Sequence, residues 1–400
     1  MKIEIQLAAG VLLLIGLLIG FLIGLLNQPA WASGPGGVIL QYHHIGTDTP
    51  AATSIEPAQF ERHMDYIAEQ GFLVWSLPRL VAALTAGEAI PENVISITFD
   101  DAYLSIYEQA FPILRARGWP FSIFVSTHYI RQEAHDSALA STQISALTNP
   151  DLDFEDHNSG AMLPSTSTDG AQFLSWQQLL EMRRFGASIL NHTHSHSHLL
   201  RRLNGESAAA WQARVRDQIN HAQDLLTQHL GVTPKLLAYP YGEYNATIVS
   251  IARDLGYVGF GQQSGAAGQD SDLGALPRFP LSGIYSDMEG LRLKLNTWPL
   301  PLKSGGRDPM LDPSETRPKL DLRFSDSDLP LEQLVCYGPG GPTELNRISR
   351  LHFQARSIMP LSVGRSRYNC TLPVAGSKRF YWFSQLWILR NPDGSWYAER

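Results

Sequence analysis

Residues 94–101 have the sequence VISITFDD, in which a run at 94–99, apolar or β-branched except for Ser96, is followed by two consecutive acids. Such a run is typical of a strand that is buried on both faces of a parallel sheet. In barrels built from alternating strands and helices, functional residues follow the carboxyl ends of the strands. We therefore expect Asp100 and Asp101 at the functional end of an α/β sheet, where a paired acid is well placed to act as a general base.

The alternation of strands and helices extends from Gly36 to about Trp298. Further strands are predicted at 38–42, 121–125, 187–190, 236–239 and 257–260, and helices at 57–70, 103–117, 207–230 and 246–255. Strands that alternate with helices pair in parallel, so the pattern predicts a barrel or a doubly wound sheet.

A second unusual stretch, residues 191–198 with the sequence NHTHSHSH, follows the strand predicted at 187–190. Neutral imidazoles together with a carboxylate oxygen are the ligands that a Zn²⁺-like ion prefers. Two histidines four residues apart and an Asp-Asp strand end therefore predict a metal site. The alternation of an extended segment would direct His194 and His198 away from it, which predicts a solvated or supporting role for these two.

Three segments in this order resemble the successive motifs of the polysaccharide deacetylases: residues 98–101 (TFDD), His192-Thr193-x-x-His196, and residues 239–242 (YPYG). The resemblance covers about residues 36–298. It implies an α/β fold, a distorted (β/α) barrel of the polysaccharide deacetylase type, and the removal of acetyl groups from a glycan.

The resemblance also implies a role for each matching residue. Asp100 would be the general base, and Asp101, His192 and His196 would bind a divalent metal ion. Zn²⁺ is the first expectation, with Co²⁺, Ni²⁺ or Mn²⁺ as alternatives. Tyr241 would donate its backbone N–H to the oxyanion, a contact typically worth ~3 kcal/mol.

The general acid is expected at an unusual place. Many members of the family carry it in a late Leu-x-x-His motif, but no histidine lies between His229 and His352. Residues 41–45 (QYHHI) instead resemble the poly-N-acetylglucosamine deacetylase branch, in which an early Tyr-His motif supplies the acid. The resemblance makes His43 the candidate acid and His44 the reserve, with a structural role as the alternative for each.

Two further positions depart from the family pattern. Ala238 stands where many members have an arginine that pairs with the base, and Arg278 is a candidate to replace it. Ala102 follows the acid pair, where glycine is usual.

The N-terminus predicts export. Residues 7–26 (LAAGVLLLIGLLIGFLIGLL) carry no charge, and ~20 apolar residues can span a bilayer as a helix. Ala30-Trp31-Ala32 resembles a small-x-small cleavage site, so residues 1–32 are either a transmembrane signal anchor or a signal peptide cleaved after Ala32. The length of the apolar run favours the anchor. In both cases the rest of the chain lies outside the cytoplasm, in the periplasm or at the extracellular face.

Three other regions fall outside the alternating pattern. Residues 131–171 form a polar insertion that is either a wall of the substrate cleft or a surface loop. Residues 303–318 (KSGGRDPMLDPSETRP) are typical of a linker, and they separate the catalytic domain of residues 36–302 from residues 319–400. Short alternating runs and turn residues in 319–400 predict a small all-β, sandwich-like accessory domain.

Cysteine usage leaves two alternatives open. Cys336 and Cys370 are the two cysteines of the chain. In an exported protein they either pair in a disulfide or remain as separate buried thiols.

Together these features predict a metal-dependent hydrolase that removes N-acetyl groups from an extracytoplasmic polysaccharide, with water activated by the metal and Asp100. The substrate would be poly-N-acetylglucosamine-like or a cell-wall glycan, and the N-terminal helix would contact the membrane. A net charge of −7 excludes nucleic acid as a partner, because no basic surface is available to neutralise phosphates. The alternatives are a deacylase of an O-acetyl ester or a non-glycan amide, and a glycan-binding protein with an inactive site.

Overall fold

The computed structural model describes residues 33–132, 173–325 and 328–398. The predicted signal anchor and nearly all of the predicted insertion at 131–171 lie outside these ranges. Within them, no helix combines the length and the hydropathy that crossing a bilayer requires.

Six parallel strands form the centre of the main sheet. They are β1 (Gly36–Tyr42), β2 (Val94–Phe99), β3 (Phe121–Val125), β4 (Ala187–Asn191), β5 (Leu236–Ala238) and β6 (Val258–Phe260). Their order across the sheet is β6-β5-β4-β3-β2-β1, and every neighbouring pair is parallel. All residues of β1, β2 and β3 are buried, as continuous apolar runs predict.

The sheet is curled, and a short segment connects its two edges. Leu276 forms a bridge with Phe260 on β6, while Phe279–Pro280 pairs in parallel with β1. Ala267–Gly268 adds an antiparallel pairing to β1, and Leu73–Val74 pairs in parallel with β2. The prediction of a distorted (β/α) barrel is therefore confirmed.

Helices cover the outer face of the sheet. They are α1 (Pro57–Glu69), α2 (Leu77–Ala86), α3 (Phe111–Ala116), α4 (Trp176–Arg184), α5 (Ala208–Leu230), α6 (Ala246–Asp254) and α7 (Met288–Leu295). The helices predicted at 57–70, 207–230 and 246–255 are confirmed to within one residue. The helix predicted at 103–117 is shorter and irregular, because a π-helical turn at Ile106–Ala110 precedes α3.

Side-chain caps fix where several helices begin. Ser175 accepts a hydrogen bond from the backbone of Gln178, whose side chain bonds back, so α4 begins with a complete capping box. Ser207 and Asn245 cap α5 and α6 in the same manner, with one bond each. These caps satisfy backbone N–H groups that have no partner inside the helix.

Two further sheets follow the barrel. The first has the order β7-β15-β14-β10-β11, and the second has the order β8-β9-β13-β12. The strands are β7 (Thr297–Pro299), β8 (Leu302–Gly305), β9 (Lys319–Phe324), β10 (Val335–Gly338), β11 (Gly341–Pro342), β12 (Glu344–Ser349), β13 (His352–Arg356), β14 (Gly364–Pro373) and β15 (Phe380–Leu389). Leu322 and Phe353 from one sheet share a core with Cys370 and Trp387 from the other. The all-β prediction for the C-terminal part is confirmed.

The segment predicted as a linker, residues 303–318, is part of this β structure at several points. Its first residues lie in β8, which pairs with β9, and Leu311 is 3% exposed. Met310 forms a bridge with Ile388 on β15. These contacts hold the segment against the sheets, so it does not run freely between two bodies. The division into a catalytic and an accessory domain stays a prediction.

The two cysteines lie opposite each other on β10 and β14 and form a disulfide. Of the two alternatives that the sequence leaves open, the structure contains the paired one.

Candidate active site

The predicted site residues lie where strands of the main sheet end. His43 follows β1, Asp100 and Asp101 follow β2, and His192 follows β4. Tyr241 lies three residues after the end of β5. Because these strands are parallel neighbours, their carboxyl ends meet at one edge of the sheet. Residues far apart in the sequence therefore converge there.

Three of these residues form a buried cluster. Asp101 Oδ1 lies 3.2 Å from Nε2 of His192 and 3.2 Å from Nε2 of His196. One ligand atom from each residue lies within 4.8 Å of the other two, and all three side chains are buried. The spacing is that of donor atoms arranged around a common point.

The hydrogen bonds of the cluster fit a divalent metal ion. His192 Nδ1 lies 2.8 Å from the carbonyl oxygen of Ala238, which can only accept, so Nδ1 carries the proton and Nε2 presents a lone pair. Within the described ranges, neither that Nε2 nor Asp101 Oδ1 has a hydrogen-bond partner. Burial raises the pKa of Asp101, but His196 and His192 lower it well below its usual value on balance. An ionised oxygen and two imidazoles in a dry site are ligands that suit Zn²⁺.

Asp100 has a separate set of partners. Arg278 donates from Nη1 to Oδ1 at 2.6 Å and from Nη2 to Oδ2 at 2.8 Å. Gln41 donates from Nε2 to Oδ2 at 2.6 Å. Burial raises the pKa of Asp100, but the Arg278 guanidinium lowers it below its usual value on balance. The carboxylate is therefore ionised and held in one orientation by a planar, two-point contact.

Arg278 lies on the segment that connects the two edges of the barrel. It is fully buried, and its Nε donates to the carbonyl of Gly261 at 3.0 Å. Residue 238 is an alanine and cannot pair with Asp100, and Arg278 supplies the guanidinium from another part of the chain. The contact that the sequence suggested for Arg278 is present.

The two histidines after β1 differ in their surroundings. Nε2 of His43 lies 4.0 Å from Oδ2 of Asp100, and 14% of the His43 side chain is exposed. The ring of His44 stacks on Tyr103 at 3.5 Å between centroids, and burial is the main cause that lowers its pKa to about 4. His43 is thus the one beside the candidate base, while His44 packs against a neighbouring ring.

Backbone strain is concentrated at these loops. In the described ranges, five residues other than glycine have φ between 54° and 70°: Asp101, Ala102, Thr193, His196 and Tyr241. Left-handed backbone costs a residue with a Cβ roughly 1–2 kcal/mol, and it persists only where the surroundings enforce it. Three separate loops therefore carry strain at a single place, as functional sites often do.

The remaining histidines of the run lie outside the cluster. His194 Nδ1 lies 2.9 Å from the Thr127 hydroxyl, and His198 Nδ1 lies 3.0 Å from Oε2 of Glu243. His198 is 7% exposed, so its side chain is not solvated, and its supporting role stays a prediction.

Sequence reasoning missed Gln41 and Glu243. Both are polar residues that are almost fully buried, at 1% and 0% exposure. Gln41 is a polar residue inside the apolar strand at 38–42, and that exception was an available signal. Glu243 follows the YPYG motif directly, but no local pattern indicates its burial.

Comparison with known proteins finds a family model that matches the central part of the chain. A sequence model described as polysaccharide deacetylase matches residues 87–260. The Bacillus subtilis protein YxkH is 25% identical over 245 residues, which are 61% of this chain and 71% of that protein. The poly-β-1,6-N-acetyl-D-glucosamine N-deacetylase of Escherichia coli K12 is 23% identical over 276 residues, or 64% of this chain. That match spans 38% of the Escherichia coli protein.

A solved structure supports the fold independently. A de-N-acetylase from Aggregatibacter actinomycetemcomitans superposes with a TM-score of 0.51 at 16% identity, over 64% of this chain and 99% of that chain. The matched motifs, the barrel and the family model agree with one another. Over residues 87–260 the chain is similar to the polysaccharide deacetylases, a family of hydrolases.

Proposed function

We propose that this chain is a metal-dependent deacetylase that removes N-acetyl groups from a polysaccharide outside the cytoplasm. The observation that carries the proposal is the buried cluster of Asp101, His192 and His196 next to the Arg278-paired Asp100. Amide hydrolysis needs one centre that polarises the acyl carbonyl and one base that takes a proton from water. The cluster and the adjacent carboxylate could supply the two.

The metal would be held by Oδ1 of Asp101 and by Nε2 of both histidines. We favour Zn²⁺ because two neutral imidazoles and one carboxylate are a common catalytic set for that ion, with coordination positions left open. When bound, the ion would supply a Lewis acid at the reacting carbonyl.

Asp100 would be the general base. Oδ2 accepts from Gln41 and Arg278, while Oδ1 accepts, among the described residues, from Arg278 alone. Each carboxylate oxygen has two acceptor positions, so Oδ1 retains one for the proton of a water molecule. The two-point contact with Arg278 would hold that position steady through the reaction.

His43 would protonate the leaving amine. It follows β1, the strand next to β2, lies near Asp100 and is partly exposed, which suits a group that meets substrate and solvent. Tyr241 would donate its backbone N–H to the oxyanion, a contact worth about 3 kcal/mol when it is lost. The ring of Tyr241 lies against that of His196 at 4.6 Å between centroids, so both belong to the same site.

A polymer of N-acetylglucosamine is the substrate class that we favour. The curated Escherichia coli relative is named for poly-β-1,6-N-acetyl-D-glucosamine, and residues 41–45 follow the pattern of that branch. The apolar run at residues 7–26 would direct the protein through the membrane and hold it there, with the catalytic part on the outer side.

The proposal is tested by acetate release from poly-N-acetylglucosamine, chitin oligomers and peptidoglycan, with and without a chelator. Asp100→Asn should lower kcat by a factor of about 10²–10⁴ while metal content stays that of the wild type, since a base is lost but no ligand. Asp101→Ala and His196→Ala should lose both activity and metal, measured by elemental analysis of the purified protein.

Matched controls separate chemistry from folding. Asp224→Asn changes an exposed acid, and His352→Ala changes a histidine of the C-terminal sheets; both should retain activity and metal. Full activity of Asp101→Ala with metal retained would sink the proposal. Faster acetate release from simple O-acetyl esters than from N-acetyl glycans would favour the esterase alternative. Glycan binding by the wild type without any hydrolysis would favour an inactive site.

A further inference from the structure

Glu243 is a fully buried acid beside the candidate active site. A buried carboxylate is costly unless charged or hydrogen-bonding partners surround it. Burial raises the pKa of Glu243, but the hydrogen bond from His198 and the charges of His198 and Arg365 lower it below its usual value on balance. The group is thus ionised, and its partners show what it connects.

Those partners come from two parts of the molecule. His198 Nδ1 donates to Oε2 at 3.0 Å, because an ionised carboxylate can only accept. The Tyr397 hydroxyl donates to Oε1, and Nη1 of Arg365 lies 3.5 Å from the same oxygen. His198 belongs to the histidine run, whereas Arg365 lies on β14 and Tyr397 follows β15. Glu243 therefore joins the barrel to the C-terminal β part.

The contacts continue to Tyr241. The ring of His198 stacks on that of Tyr241, with 3.8 Å between centroids and 8° between planes. Arg365 Nη1 also donates to the backbone carbonyl of Tyr241 at 3.2 Å. One contact fixes the side chain of Tyr241 and the other fixes its backbone.

Tyr241 needs such support because its backbone is strained. Its φ is 59°, in the left-handed region that a tyrosine enters at a cost of roughly 1–2 kcal/mol. Without external contacts, the loop would relax toward right-handed or extended conformations. The direction of the N–H would then change, and with it the donor proposed for the oxyanion.

The C-terminal tail, residues 390–398 after β15, contacts the loop that follows the histidine run. The guanidinium carbon of Arg201 lies 5.6 Å from the ring centre of Trp396 and 5.5 Å from that of Tyr397. Arg201 Nη2 also donates to the carbonyl of Tyr397 at 3.4 Å. The tail is thus seated next to His198, where the Tyr397 hydroxyl can reach Glu243.

We propose that Arg365 and Tyr397 are positioning residues of the active site, which act through Glu243 and His198 to hold Tyr241 in its catalytic conformation. The proposal gives the C-terminal β part a role in the reaction, and it rests on the proposed function for the use of the Tyr241 N–H.

The kinetic test compares Tyr397→Phe and Arg365→Gln with two matched controls on the same β part, Tyr337→Phe and Arg323→Gln, whose side chains are exposed. The first pair should lower kcat about tenfold, because small displacements of a catalytic group are costly, while KM stays within about twofold of the wild type. The controls should behave as the wild type.

A second readout needs no turnover. Hydrogen exchange of the peptide covering residues 239–245 should be faster in Tyr397→Phe and Arg365→Gln than in the controls. In a Glu243→Gln background, Tyr397→Phe should lower kcat less than it does in the wild type, because the two residues act in series.

The outcomes are distinct. Faster exchange together with lower kcat supports the proposal. Unchanged exchange, or faster exchange with kcat equal to that of the controls, overturns it. If the wild type releases no acetate from any glycan, the proposed function fails, whereas the exchange comparison still decides whether Arg365 and Tyr397 hold this segment.

Discussion

At the scale of single residues, the contact of Arg278 with Asp100 makes the strongest demand on the chain. Both side chains are fully buried, at 0% exposure to solvent. Loss of one partner leaves a buried charge without compensation, which typically costs about 3–5 kcal/mol. Arg278→Gln should therefore lower the free energy of unfolding by about 3–5 kcal/mol, measured by urea denaturation.

Arg278→Lys tests geometry apart from charge. Lysine keeps the positive charge but lacks the planar fork, so Asp100 would lose its fixed orientation. We expect kcat/KM to fall by about tenfold or more, with a smaller loss of stability than in Arg278→Gln. Arg253→Lys, at an exposed position, is the matched control. Activity of Arg278→Lys equal to that of the control would show that two-point contact is not needed.

How far the sequence predicts the site depends on how many positions separate the residues that contact one another. The acid pair and the histidine run lie at strand ends, and strand ends can be recognised from local patterns. Glu243 and Gln41 acquire their roles from partners 45 and 59 residues away, and no local pattern encodes such pairs. Arg278 could be suggested only because an expected arginine was missing at Ala238.

At the scale of elements, buried strands were predicted best. The prediction for β2 matches the structure residue for residue, because six consecutive buried positions leave one interpretation of the run. Helix α2 was missed although Ser76 precedes it, Pro78 lies in its first turn and Gly87, at φ 67°, ends it. The π-helical turn before α3 depends on tertiary packing, which periodicity does not report.

Helix α1 makes the stability of the protein depend on pH. Its His63 is fully buried, and Nε2 donates to the carbonyl of Ser286 at 2.7 Å, so Nδ1 is left to accept from the Tyr42 hydroxyl at 3.1 Å. Burial is the main cause that lowers the pKa of His63 from 6.5 to about 4. A neutral ring satisfies both contacts, and a second proton would place a positive charge at a fully buried position.

The sign of the pH effect follows. Between pH 6.5 and about 4 the unfolded chain binds a proton at His63 and the folded chain does not, so the free energy of unfolding falls as the pH falls. His63 would destabilise the folded state at low pH by up to about 3 kcal/mol, and above pH 6.5 this destabilisation is absent. Urea denaturation at several pH values should show a shallower dependence for His63→Gln than for the wild type. Equal slopes would mean that His63 is not the source.

At the scale of the whole molecule, the sequence predicts a barrel and a β part but not how they cooperate. Strand β7 precedes the segment that was predicted as a linker, yet it pairs with β15 more than eighty positions later. Arg365 and Glu243 are likewise brought together across the two parts. Such pairings are set by packing over long sequence separations, and composition shifts along the chain do not report them.

The disulfide offers a test of how much the C-terminal sheets contribute to the whole. Cys336 and Cys370 are 34 positions apart. In the chain-entropy description, closing a loop of that length raises the free energy of the unfolded chain by about 4 kcal/mol. The Cys336→Ala/Cys370→Ala double variant should therefore unfold at lower guanidinium concentration. A reducing agent should destabilise the wild type by a similar amount and leave the double variant unchanged. Because β14 carries both Cys370 and Arg365, the same treatment should also increase hydrogen exchange at residues 239–245. If hydrogen exchange at residues 239–245 does not change on reduction, the conformation of the site does not depend on the stability of the C-terminal sheets.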